Sequence, residues 1–278
     1  MNDLRIFLTT RDRPQDQLTL LHMPTQWVQR TTVVCPREDR RDINEYCCGT
    51  VADFAHPKVD NLAQKREWIF RYCAKQGIEK ILMLDDDLEF RCRYPHSTRV
   101  YKPEATDLRL HRMFKKLEEM LDHYAHGGVA MQFMQQSNTE EWKYGGRYLH
   151  LLAYHVPTVM ENCKLGRVTL SSDYDYALQL MEAGYTSAVY CRATESDPNG
   201  FNAPGGVSRY RNAKLIRQQA ELLAKLHPGI VKLMPYKAGS KYEHLGVRTQ
   251  ASWKKALAMG LEYRDVLHGT LDGKAARL

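Results

Sequence analysis

The sequence predicts an α/β fold, with a mostly parallel sheet flanked by helices in one large domain and a basic C-terminal extension. Three observations carry that prediction. Strand and helix signals alternate through roughly the first 130 residues. The apolar run "ILML" passes straight into "DDD" at residues 81–87, as a buried strand with an acidic end would. With 278 residues, 43% of them hydrophobic, the chain can bury a sizeable core.

The elements follow in order. "LRIFLTT" (4–10) reads as a strand, and "PQDQLTLLHM" (14–23) as a helix with Pro14 at its first position. "TTVVCP" (31–36) is a second strand, stopped by Pro36, and "REDRRDINEYCC" (37–48) a polar helix or turn. "VADFAHP" (51–57) is a third strand. Residues 60–78 place Leu62, Trp68, Ile69, Tyr72 and Cys73 at helical spacing, with Gly77 as the stop. "EKILMLDDD" (79–87) is the fourth strand. Residues 107–128 read as the clearest helix, with Leu110, Met113, Phe114, Leu117, Met120 and Leu121 on one face. A strand at 129–134 follows. In "LSSDYDYALQLMEAGY" (170–185) Ser171 or Ser172 is the expected helix cap, Asp173 and Asp175 sit in the first turn, and Gly184 ends the helix. "TSAVYCRA" (186–193) is the next strand. Residues 91–106, 134–147 and 194–209 are irregular, and the last of these reads as a functional lid or a disordered segment.

Composition narrows the class. No apolar run reaches the roughly eighteen residues of a membrane span. "MNDLRIFLTT" lacks the basic start of a signal peptide. Seven cysteines without CxxC spacing, Cys47 and Cys48 adjacent among them, read as reduced thiols in a cytoplasmic protein. Residues 201–278 hold fourteen Lys/Arg against five Asp/Glu, in a chain whose net charge is +7. That basic quarter suggests a polyanionic partner, or else a solvated surface.

The acids need explaining. Ligands of open α/β sheets sit at the carboxyl ends of strands. Alternation along the strand puts Asp85 and Asp87 on one side and Asp86 on the other. Two carboxylates on one side stay charged cheaply only when a cation joins them. Oxygen ligands with open positions suit Mg²⁺ or Mn²⁺, which keeps water and takes phosphate oxygens. A capping acid cluster is the plainer alternative. No GxxxxGK[ST] or GxGxxG is present to cradle phosphates. Thr10, Arg11 and Arg13 leave the first strand at the same sheet edge, where guanidinium groups meet a base or a diphosphate, or simply solvate a turn. Lys65 and Arg66 suit either a bridge to Asp85 and Asp86 or a diphosphate. An acid opening a helix, as Asp173 does with Asp175 as second choice, suits a general base on a hydroxyl, or only the helix dipole.

These features together resemble the GT-A glycosyltransferase fold, a Rossmann-type architecture whose "DxD" holds a divalent ion on a nucleotide-diphosphate sugar. Asp85 and Asp87 match its two acids, and "SDYDYALQLMEAGY" places Asp173 at the base of an "ED…GY" motif. Ser172 stands where that motif has Glu, Gln179 stands where it has Arg, and "QxxRW" is missing, which leaves the stereochemical outcome open. The order "TTRDRP", "LDDD", "SSDYDYALQLMEAGY", "FNAPGGVSRYR" and "LHPGIVKL" is similar to the bacteriophage TET-associated glycosyltransferases, over roughly residues 4 to 236. That resemblance implies a sugar moved from a nucleotide-diphosphate sugar (a UDP-sugar) to 5-hydroxymethylcytosine in phage DNA, in the host cytoplasm. It implies a nucleotide-sugar half at about 1–133, an acceptor half at about 134–236, and a basic extension over 237–278. Asp85 and Asp87 then hold Mn²⁺ or Mg²⁺. Thr10, Arg11, Arg13, Lys65, Arg66, Asp85 and Asp86 face the donor, under a lid containing Gly205 and Gly206. Arg209, Arg211, Lys214 and Arg217 face the DNA. A glycan, lipid or protein acceptor is the first rival. A nucleotidyltransferase and a non-enzymatic DNA-binding module are the others.

Overall fold

The computed structural model describes residues 4–47, 51–94, 97, 100–101, 107–132, 139–198, 204–240 and 242–267. Cys48 and much of the expected loops at 91–106, 134–147 and 194–209 lie outside them. The first half builds β1 (Arg5–Thr9), α1 (Leu18–His22), α2 (Thr25–Val28), β2 (Thr31–Val34), α3 (Arg40–Tyr46) and β3 (Asp53–Ala55). It continues through α4 (Leu62–Gln76), β4 (Lys80–Asp85), β5 (Glu89–Arg93), β6 (Val100–Tyr101), α5 (Asp107–Met120) and β7 (His126–Met131). The second half adds β8 (Trp142–Tyr144), β9 (Leu151–His155), α6 (Val156–Asn162), α7 (Ser172–Glu182) and β10 (Ala188–Ser196). After a 3-10 turn at Gly206–Arg209 come α8 (Ala213–Leu226), β11 (Val231–Pro235), β12 (Val247–Ala251) and α9 (Trp253–Leu267).

The main sheet runs β3-β2-β1-β4-β9-β7-β10-β5-β6, with β8 paired to β10. The pairings set β1, β2, β3, β4, β6, β7 and β10 in one direction and β5, β8 and β9 in the other, so the sheet is mostly parallel. Period-two alternation divides each central strand between two cores. Ile6, Leu8, Leu82 and Leu84 pack beneath α5 through Met113, Phe114 and Leu117. Phe7, Ile81 and Met83 pack on the other face against α4, α6 and α7 through Phe70, Val159 and Leu180. Each such side chain is worth about 1.5–3 kcal/mol for leaving water. α4 starts at Asn61, whose side chain accepts from the Gln64 amide, and stops at Gly77 with φ 68.

Several expectations change. The helix expected over 107–128 ends at Met120, because His126, Gly127 and Gly128 belong to β7. A Cβ at Gly127 would collide with the Ala188 carbonyl, and one at Gly128 with the Leu151 carbonyl, so the glycine pair is what a strand wedged between neighbours requires. The helix expected over 14–23 shrinks to Leu18–His22, since residues 11–17 turn over the acidic strand end instead. The stretch at 91–106 holds strand residues of β5 and β6, 134–147 holds β8, and β10 runs on to Ser196. The boundary expected at 236 falls between the paired strands β11 and β12. Beyond it, Ala256 and Leu257 of α9 are buried with Leu178 and Met181 of α7, so the C-terminal segment is packed rather than trailing. Among the described residues no helix is long and apolar enough to cross a membrane.

Candidate active site

Parallel pairing aligns Thr9 of β1 with Asp85 of β4, so "TRDR" and "DDD" emerge side by side at one sheet edge. β4 ends at Asp85, and the expected alternation does not continue into the turn that follows. Asp86 and Asp87 therefore share one cation. Arg13 Nη1 lies 3.0 Å from Asp86 Oδ1 and 2.7 Å from Asp87 Oδ2. Asp85 pairs instead with Arg66 Nη2 at 3.4 Å. The Thr10 hydroxyl donates a short hydrogen bond to Asp86. The buried Thr19 fixes the turn: its hydroxyl donates to the Asp85 carbonyl at 2.6 Å and accepts from the Leu88 amide at 2.9 Å. Burial pushes the Asp86 carboxyl up to about 7, and Asp87 adds to the rise against the pull of Arg13 and Thr10. Burial also raises Asp87, with Asp85 and Asp197 contributing.

The acids open into a cavity of about 380 Å³. Arg11, Arg13 and Lys65 come to it from the β1 and α4 side of β4, and Arg211 from the segment after the glycine pair. Lys65 Nζ donates to the Thr10 carbonyl at 2.5 Å, and burial, with Arg11 nearby, lowers its ammonium to about 8. The glycine pair rests on the arginine turn. The Gly206 amide donates to the Arg11 carbonyl at 3.0 Å, and Arg13 Nε donates to the Pro204 carbonyl at 2.6 Å. Gly205 has φ 81, and a Cβ there would lie 2.8 Å from Arg13 Cγ. Arg209 pairs with Asp12 at 2.6 Å and closes the same contact from outside.

A divalent ion fits the donor set. Asp85 and Asp87 line the cavity, and each has a second oxygen outside the ion pairs above. Among the described residues no three His, Cys, Asp or Glu side chains converge to hold a metal unaided. Two carboxylates completed by water and phosphate oxygens are what Mg²⁺ or Mn²⁺ takes from such a site.

The helix-start acids separate. Ser171 has φ 62 and makes no side-chain capping bond. Ser172 instead accepts from Arg66 Nη1 at 3.0 Å. Arg66 Nη1 also lies 3.5 Å from Asp173 Oδ1, so one guanidinium ties Asp173 to Asp85; Asp85 lines the cavity, whereas Arg66 and Asp173 stand behind its lining. Asp175 points away. It is fully buried between Arg167 at 2.5 Å and His227 at 3.0 Å, with Gln179 donating at 3.0 Å. Lys214 and Arg217 are exposed on α8 outside the cavity.

Two further cavity residues, His150 and Glu195, do not stand out in the sequence. His150, with φ 54, places Nδ1 3.2 Å from both carboxylate oxygens of Glu195, which is fully buried at the end of β10. Burial works against a charged His150 ring, and the Glu195 bond and charge outweigh it, raising the imidazole to about 9. The signal was "AVYCRATESD", an apolar strand ending in acids as "ILMLDDD" does.

A family model described as TET-Associated Glycosyltransferase matches residues 4–194. No curated protein sequence matches the chain. Among solved structures, S. aureus TarS 1–349 is 10% identical, with 96% of this chain and 72% of that one covered at a TM-score of 0.44. A protein of Desulfovibrio desulfuricans described as a nucleotide-diphospho-sugar transferase is 11% identical, with 81% and 99% covered at 0.41. Mannose-1-phosphate geranyltransferase of Thermus thermophilus is 13% identical, with 70% and 76% covered at 0.41. At these scores the likeness carries no argument about activity.

Proposed function

The chain belongs to the TET-associated glycosyltransferase family, and from that premise we propose that it moves a sugar from a UDP-sugar to the hydroxyl of 5-hydroxymethylcytosine in phage DNA. The observation that supports this best is the cavity itself, where three strand-end carboxylates face Arg11, Lys65 and Arg211. That is a place for a diphosphate and a hard cation together. Residues 1–133 would carry the strand-end acids and cations of the donor site, and 134–236 would carry the acceptor while also lending Gly205, Gly206 and Arg211 to the donor.

Asp85 and Asp87 would hold Mn²⁺ or Mg²⁺, which supplies positive charge against the departing diphosphate. Arg11, Lys65 and Arg211 receive the phosphate oxygens, and Gly205 and Gly206 let the lid approach them closely. Arg66 orients Asp173. The acceptor hydroxyl attacks the anomeric carbon while Asp173 takes its proton, and the bond to the diphosphate oxygen breaks. Asp175 lies too deep for that role and serves the fold through Arg167 and His227.

The test is direct. The protein is incubated with Mn²⁺, a panel of sugar nucleotides and hydroxymethylated DNA, and the digested nucleosides are weighed by mass spectrometry. A hexosylated hydroxymethyldeoxycytidine is expected. Sugar released to water, or none moved, with every donor would overturn the DNA acceptor.

A further inference from the structure

Glu195 and His150 have no part in the chemistry above, yet both line the cavity. A buried ion pair adds little net stability, because desolvation offsets its attraction. Its value lies in what it presents. His150 turns Nδ1 toward Glu195, which leaves Nε2 on the opposite edge of the ring. The His150 carbonyl accepts the Asp85 amide at 3.2 Å, so the backbone that carries the ring is tied to the first acid of the triplet. Gln132 is fixed beside it, its backbone N–H donating to the Glu195 carbonyl at 2.8 Å.

Sheet order polarises the cavity. Arg11 and Arg13 follow β1, the acids follow β4, and His150, Gln132 and Glu195 belong to the ends of β9, β7 and β10 beyond it. A donor whose diphosphate lies on the cationic side extends its sugar past Asp85 toward His150. We infer that His150, held by Glu195 and flanked by Gln132 and Asp197, is the subsite for the donor's glycosyl group, and that it takes a neutral polyhydroxy sugar and rejects a uronic acid. The inference rests on the nucleotide-sugar reading. Hydroxyls donate to carboxylates and to the Gln132 carbonyl oxygen, and accept from the imidazole and the Gln132 amide. A sugar carboxylate would add a negative charge beside Asp85, Glu195 and Asp197, where Arg66 is already paired with Asp85 and His150 with Glu195.

The test is calorimetric titration of UDP, UDP-glucose and UDP-glucuronic acid, each with Mn²⁺, into the wild type, Glu195→Gln and His150→Asn. Glutamine is nearly isosteric with Glu195, and asparagine is the replacement best suited to a left-handed backbone. UDP binding reports that each variant is folded. In the wild type, UDP-glucose should bind more tightly than UDP, and UDP-glucuronic acid should not. Each variant should keep its UDP affinity and lose about tenfold for UDP-glucose, the scale of one charged hydrogen bond. An unchanged ratio of UDP-glucose to UDP would overturn the inference, as would equal binding of UDP-glucuronic acid by the wild type. So would UDP and UDP-glucose weakening together, which would assign the pair to the diphosphate or the cation. A wild type that binds no UDP at all would overturn the donor reading itself, and this inference with it.

Discussion

Arg13 Nη1 stands 2.7 Å from Asp87 Oδ2, so the protein supplies its own cation to the acids at the end of β4. The same nitrogen reaches Asp86, and both partners are largely shielded from water. Removing Arg13 leaves two buried carboxylates facing each other. Arg13→Gln should therefore cost about 3 kcal/mol of stability. A divalent ion should restore part of it, because it takes over the same neutralisation. Thermal melts with and without Mn²⁺ check this: the variant should melt lower and gain more from the ion than the wild type does. Equal gains would show that the ion binds elsewhere.

Asp173 and Asp175, two residues apart in one helical turn, should give opposite phenotypes. Asp173→Asn keeps shape and removes the proton acceptor that Arg66 ties to Asp85. Turnover should fall about 10²-fold or more while sugar-nucleotide binding holds. Asp175→Asn strips a fully buried carboxylate from Arg167 and His227. It should cost about 3 kcal/mol in a denaturant titration. A loss of turnover at unchanged stability for Asp175→Asn would exchange the two roles.

Lys65 gives the donor site a pH signature. Burial lowers its ammonium to about 8, well below the value of a free lysine. A diphosphate beside it favours the protonated form and raises that value in the complex. Binding therefore takes up a proton at pH above about 8, and affinity falls as pH rises from there, by up to about tenfold per unit. Below that pH Lys65 is charged in both states and contributes no slope. Dissociation constants for UDP at pH 7, 8 and 9 should show the fall, and Lys65→Arg should remove it. A slope that survives Lys65→Arg belongs to another group.

The sequence made the parallel half of the molecule legible and left the other half obscure, for physical reasons. α4 announced itself through its apolar spacing and Gly77, both local signals, and the structure adds the Asn61 cap. β4 did so through an apolar run that only burial explains. β9 went unread although "LLAYH" is buried along most of its length, because a strand inserted antiparallel between β4 and β7 is specified by partners distant in sequence. Gly127 and Gly128 fall within the helix expected over 107–128, and only the close approach of Ala188 and Leu151 explains them. In the site, the acids and Arg13 were visible as residue types. Their pairing was not, since it depends on where β4 stops and on Pro204 returning to Arg13 across the chain. His150 and Glu195 meet only because β9 starts where β10, a strand of the parallel set, ends, at the same sheet edge.

The basic residues after the glycine pair divide in the same spatial way, and that division tests the DNA. Arg211 lines the cavity and Arg209 is tied to Asp12, whereas Lys214 and Arg217 are exposed on α8. Binding to DNA phosphates releases counterions, so affinity for hydroxymethylated duplex DNA should weaken steeply with salt. Lys214→Gln with Arg217→Gln should flatten that dependence, by roughly 0.9 in the log–log slope for each phosphate no longer neutralised, and leave UDP binding alone. Arg209→Gln with Arg211→Gln should weaken UDP binding first, because Arg211 faces the diphosphate position and Arg209 fastens the lid to Asp12. Filter binding at several salt concentrations and calorimetry with UDP separate the two pairs. If both double variants keep the wild-type salt slope, α8 is ordinary solvated surface, and a glycan, lipid or protein hydroxyl replaces DNA as the acceptor.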